Sequence, residues 1–105
     1  MRTPTRLHGR LALTEELTIY HAAEQKQQLM AALAESSALE LDLSQVPEID
    51  TAGLQLLILA KLEAGRHDKR LAIVAHSPSV RQTLDFCNLG VFFGDPVIIT
   101  AHEQV

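Results

Sequence analysis

Leu39, Leu41 and Leu43 alternate with Glu40 and Asp42. This period of two predicts a strand over residues 38–43 with one face buried and the other at least partly wet. Pro47 then forbids a continued ladder. Beyond it Leu54, Leu56, Leu57, Ile58, Leu59 and Leu62 leave only Gln55 and Lys61 as evident solvent contacts, so a helix largely covered by other elements is expected. Between strand and helix lies a polar turn, Asp50-Thr51-Ala52-Gly53, and the chain is organised around this stretch.

The flanking segments alternate in type. Leu7, Leu11 and Leu13 fall on one face of a strand over residues 7–14, after a polar start at residues 1–6 that reads as a frayed terminus or an edge strand. A helix is expected over residues 19–35, capped by Thr18, with Ile19, Ala22, Ala23, Leu29, Met30 and Leu33 as its apolar stripe and Glu24, Gln25, Gln27 and Gln28 mainly on the other side. The central helix should stop near Gly65, before a charged, solvated loop at residues 66–70. Residues 71–75, Leu-Ala-Ile-Val-Ala, form a continuous apolar run of the kind found in a strand covered on both faces. Ser77 and Pro78 are favoured as cap and first residue of a helix that buries Val80, Leu84 and Cys87 and yields at residues 88–90. A last strand is expected at either residues 91–93 or 97–100.

Strands alternating with helices in the order β-α-β-α-β-α-β imply an α/β fold: one domain over residues 1–105, with parallel pairs, right-handed crossovers and helices packed on the sheet. The length of 105 residues supports a single core. A net charge of −4 argues against direct nucleic-acid binding, which needs a basic face. The lone Cys87 has no internal disulfide partner, the N-terminus lacks the apolar segment of a signal peptide, and no run approaches the length of a membrane span. A cytoplasmic protein without membrane insertion is the simplest expectation. No apolar stripe demands a dimer, and the oligomeric state stays open.

Chemistry narrows to the central turn. The first N–H groups of a helix lack intrahelical partners, and Asp50 or Thr51 is of the type that caps them. Gly53 permits close approach of another backbone or of an anion, and a Thr51 hydroxyl would face solvent at a site that favours negative charge. The alternative is a helix cap and nothing more. Five scattered histidines without ligand spacing argue against a metal site, and no glycine-rich nucleotide motif implies a cofactor. Cys87 on an apolar helical face reads as inert, and Thr51 has no histidine near it in sequence, so an enzyme is not expected. Glu15, Glu16, Asp42, Glu48 and Asp50 could gather near the start of the central helix, whereas Lys61, Arg66, Lys69 and Arg70 lie toward its other end. Such an acidic rim would suit a basic patch on a partner; an evenly solvated surface is the other reading.

The D-T-A-G-L run at residues 50–54, with S-P-S-V at 77–80 and D-F-C-N-L-G at 85–90, resembles the STAS domain of bacterial anti-sigma factor antagonists and of MlaB-type subunits of lipid-transport ABC complexes. The resemblance covers residues 11–89 and implies a single STAS-type domain with a mixed sheet. In the antagonists the pattern is D-S-x-G, and the residue after the Asp is phosphorylated by a partner kinase that is itself the anti-sigma factor. By position the acceptor here is Thr51, and Asp50, Ala52, Gly53 and Leu54 are its neighbours on the partner-binding surface. The family's L-x-G-x-L-D loop usually contributes to that surface; here it reads Leu13-Thr14-Glu15-Glu16-Leu17-Thr18, bringing in Glu16 and Thr18. The resemblance therefore implies either a regulator of a GHKL-type kinase or anti-sigma factor, switched at Thr51, or a non-catalytic subunit bracing an ABC transporter ATPase. The acidic rim and exposed cap favour the first.

Overall fold

The computed structural model describes residues 8–93. Three strands and four helices follow in order: β1 (His8–Ala12), α1 (Ala22–Glu35), β2 (Ala38–Leu43), α2 (Thr51–Arg66), β3 (Arg70–His76), α3 (Pro78–Phe86) and the short α4 (Gly90–Phe93). The strands form one sheet in the order β1-β2-β3, and both pairings are parallel. Leu39 lies opposite Gly9 on one side and Leu71 on the other, and the register slips by one residue of β3 after the Leu41–Ile73 pair. The expected α/β fold with strands and helices alternating is present. Residues 1–6 and 97–100 lie outside the described residues, as does any strand there that would make the sheet mixed. Val91 and Phe92 are helical rather than extended: they belong to α4, which buries Phe93.

The core sits on one face of the sheet. Leu39, Leu41 and Leu43 of β2 and Leu71 and Ile73 of β3 are buried against Leu29 and Leu33 of α1 and Leu56, Leu57, Ala60 and Ala64 of α2. The other face carries charged side chains. There Arg10 of β1 reaches Glu40 and Asp42 of β2, both at 3.2 Å. Val74 on β3 is exposed, and no layer among the described residues covers the face that carries it, where the unbroken apolar run implies cover on both faces. A run of short aliphatic residues satisfies strand propensity whether or not a second layer arrives.

Several local expectations are corrected by packing. Leu59 and Leu62 of α2 are exposed, whereas Lys61 is half-buried and its Nζ donates to the Leu71 carbonyl at 2.9 Å. The α2 helix is thus amphipathic, with its wet stripe running through Gln55, Leu59 and Leu62. Burial, helped by the nearby Arg70, lowers the Lys61 pKa. Helix α1 begins at Ala22, three residues later than its apolar pattern suggests, and Ile19 and Ala23 are exposed while Gln25 is buried. Cys87 is exposed at the C-cap of α3 and takes no part in the core. Ser77 and Pro78 open α3 as expected, the Ser77 hydroxyl accepting from the Val80 N–H at 3.2 Å.

The C-terminus of α2 uses no glycine. The chain leaves the helix through Asp68, which is left-handed at φ 59°, and the Lys69 N–H returns to the Ala64 carbonyl at 2.8 Å. Gly65 is instead an ordinary helical residue, and a Cβ added there would meet nothing within 4 Å. Gly65→Ala should therefore stabilise the fold by about 0.5–1 kcal/mol, read as a higher urea midpoint at unchanged slope.

Candidate functional site

Two loops meet at the N-terminus of α2. Leu17 forms an isolated parallel bridge with Ile49: its N–H donates to the Glu48 carbonyl at 2.8 Å, and its carbonyl accepts from the Asp50 N–H at 3.0 Å. Leu17 is fully buried, as is Val46 of the second loop. Gly53 lies directly against this bridge, where a Cβ would come within 2.6 Å of the Leu17 carbonyl carbon and still closer to its oxygen. The glycine expected to admit a close approach does so, and the approaching group is the backbone of the first loop.

Asp50 joins the two loops. Its Oδ1 accepts from the Gly53 N–H at 2.9 Å as the N-cap of α2, and its Oδ2 accepts from the Ile19 N–H at 3.1 Å. The Gly53 N–H bond, assisted by that from Ile19, holds the Asp50 carboxyl below its usual range. Because Asp50 does the capping, the Thr51 side chain is left exposed at the first helical position. Ala52 and Leu54 are half-buried beside it. Of the first-loop residues that the family resemblance assigns to a partner surface, Glu16 is half-buried and its carbonyl accepts from Gln25 Nε2 at 3.0 Å.

Thr18 is buried and is not the cap of α1. Its hydroxyl accepts from the Tyr20 N–H at 3.4 Å and its carbonyl from the His21 N–H at 3.0 Å, so it closes a turn ahead of the helix. His21 stands at the N-cap without a side-chain bond to the helix. Gln25 Oε1, also buried, has no partner among the described residues.

The charges sort by location. Glu15, Glu16 and Glu48 line one shallow depression with His21 and Pro47, and His21 Nδ1 lies 3.0 Å from Glu15. Asp42 does not join them: it sits on the face of the sheet opposite the core, where the Ser44 N–H and hydroxyl and then Arg10 lower its pKa. Ligand atoms of Glu15, His21 and Glu24 converge within 4.8 Å, a grouping that sequence spacing could not reveal because Glu15 belongs to the loop and the other two to the start of α1. Sequence reasoning also missed Ile19 and Tyr20, which flank the site and are 68% and 84% exposed. The apolar type and helical spacing of Ile19 pointed to the core instead.

A family model described as "Mlab, STAS domain" matches residues 3–98. The chain belongs to the STAS family. No curated protein matches it. Among solved structures, this STAS domain is similar to an anti-sigma factor antagonist from Mycobacterium paratuberculosis (24% identity, 91% of this chain and 83% of that one, TM-score 0.74). It is also similar to the anti-sigma factor antagonist SpoIIAA in its unphosphorylated form (19% identity, 98% and 91% covered, TM-score 0.69). The Bacillus cell fate determinant SpoIIAA in its phosphorylated form resembles it at 18% identity, with 99% and 94% covered and a TM-score of 0.64. These likenesses are of fold.

The site yields two stability predictions. Gly53→Ala should cost about 2–3 kcal/mol in urea unfolding, because the new methyl meets backbone rather than a side chain that can turn away. Asp50 has a depressed pKa when folded, so its contribution is complete above the unfolded value of about 4 and is lost as pH falls through the folded value. Unfolding at about pH 7 and about pH 3 should show a smaller acid loss for Asp50→Asn than for the parent.

Proposed function

We propose that this STAS domain is a non-catalytic cytoplasmic regulator of the anti-sigma factor antagonist type, which binds a GHKL-type serine/threonine kinase or anti-sigma factor and is switched by phosphorylation of Thr51. The observation that carries the reading is the division of labour at the start of α2: Asp50 satisfies the cap, and the Thr51 side chain stays exposed. An acceptor hydroxyl must be reachable by a kinase, and one that also capped the helix would be withdrawn from it. The occurrence of SpoIIAA in both unphosphorylated and phosphorylated forms supports the compatibility of this fold with such a modification.

The switch follows from charge. A phosphate adds roughly −1.5 to −2 charges and is tolerated within the chain because it sits at a helix N-terminus. At an interface the same phosphate is desolvated beside Asp50 and the Glu15, Glu16 and Glu48 depression. A loss of about 2.8 kcal/mol weakens binding about a hundredfold, so partner release needs no change of fold.

A second reading is favoured by the description of the matching family model: an MlaB-like subunit that braces the ATPase of a lipid-transport ABC complex, with Thr51 as an unmodified contact.

Capture from native cytoplasm with parent and Thr51→Glu protein, followed by mass spectrometry of the partners and of Thr51, separates the two. The switch reading expects a GHKL-type kinase on the parent, phosphate on Thr51, and partial loss of binding in Thr51→Glu, since one carboxylate lacks the second charge of a phosphate. Thr51→Ala should bind and remain unphosphorylated. An ABC ATPase on both parent and Thr51→Glu, with Thr51 unmodified, would establish the subunit reading instead.

A further inference from the structure

Ile19 and Tyr20 stand out because they contribute nothing to the core. They are 68% and 84% exposed, side by side in the turn that precedes α1. Polar residues would serve such a turn at least as well. Tyr20 is also the only tyrosine of a chain that has no tryptophan.

The turn is held in place although its side chains are free. The Ile19 N–H is bound by Asp50 Oδ2, the Tyr20 N–H by the Thr18 hydroxyl and the His21 N–H by the Thr18 carbonyl. Thr18 and Leu17 beneath it are buried. Two apolar side chains on a backbone fixed in this way lose little further backbone freedom on docking. A tyrosine in such a setting is the residue type that most often dominates an interface, with an apolar ring and a hydroxyl for the rim.

The surroundings say what it docks against. Glu15, Glu16 and Glu24 flank the turn in sequence, and Asp50, with Glu48 two residues before it, faces it from the second loop. Neither residues 11–25 nor residues 41–60 contain a lysine or an arginine. The cations Arg66, Lys69 and Arg70 are at the far end of α2 and beyond. His21 lies among the acids, 3.0 Å from Glu15, and the group as a whole is acid-rich, so an apolar pair beside it is complementary to an apolar cleft rimmed by Lys and Arg. The same group repels an anionic lipid surface, and it repels the equivalent face of a second copy in a two-fold dimer.

We propose that Ile19 and Tyr20 form the apolar anchor by which this chain docks into a Lys/Arg-rimmed cleft on its partner ATPase. The inference rests on the reading of the chain as a partner-binding STAS domain and adds the residues that carry the affinity, apart from Thr51.

The test uses the ATPase identified in the capture experiment, purified, in surface-plasmon binding to parent, Ile19→Ser, Tyr20→Ala, Tyr20→Phe and the double variant Glu15→Lys/Glu48→Lys. Tyr20→Ala and Ile19→Ser should each bind about tenfold or more weakly through faster dissociation, with thermal unfolding like the parent's. Tyr20→Phe should retain most of the affinity. The double charge reversal should slow association, and added salt should slow the parent's association in the same direction. Binding of Tyr20→Ala and Ile19→Ser within about twofold of the parent overturns the anchor while leaving the switch reading intact. An ABC ATPase held through Ile19 and Tyr20 supports the anchor and overturns the switch. Sedimentation of the parent as a dimer that Tyr20→Ala dissociates would make this a self-association surface and overturn the proposal, and capture of no ATPase overturns reading and anchor together.

Discussion

The contact on which the site depends is between backbones. Leu17 bridges Ile49 through the Glu48 carbonyl and the Asp50 N–H, and Gly53 packs so closely on the Leu17 carbonyl that no side chain fits between them. This clamp sets the N-terminus of α2 against the loop after β1. It thereby determines which N–H groups Asp50 reaches, where Thr51 emerges and how the turn carrying Ile19 and Tyr20 is presented. Below it the packing is ordinary: a leucine-rich sheet face covered by α1 and α2.

The clamp separates rigidity from recognition. Asp50 has both oxygens occupied by backbone donors, Thr18 is buried in a turn, and Gly53 is enclosed. The residues left facing outward are Thr51, Ile19, Tyr20 and a group of glutamates. A phosphate or an added charge on such a surface changes what a partner meets without disturbing what holds the surface together. This is the physical requirement for a switch that works at the interface rather than through refolding.

Much of this was legible in the residues. The period of two at residues 38–43, the capping pair at 77–78 and the turn at 50–53 are local signals, because strand alternation and cap hydrogen bonds are made within a few residues of chain. Thr51 as an exposed residue at a helix start follows from the same local chemistry. Less legible were positions whose burial depends on a partner element. Leu59, Leu62, Val74 and Cys87 look like core by type and are exposed, since no layer among the described residues covers them. Gln25 looks like surface and is buried because its amide reaches the Glu16 carbonyl, nine residues back.

By itself the sequence determined the order of strands and helices from β1 to α3, the family pattern around Asp50-Thr51-Ala52-Gly53 and the segregation of acids from bases along the chain. Tertiary structure alone decided that Asp50 rather than Thr51 caps α2, that Gly53 serves the first loop's backbone, that Asp42 leaves the acidic group for the sheet face opposite the core, and that Ile19 and Tyr20 point away from the core. The reason is range. Periodicity and capping are short-range and are written in neighbouring residues, whereas burial and the second hydrogen bond of a carboxylate depend on atoms some thirty residues away, as in the bond from Ile19 to Asp50.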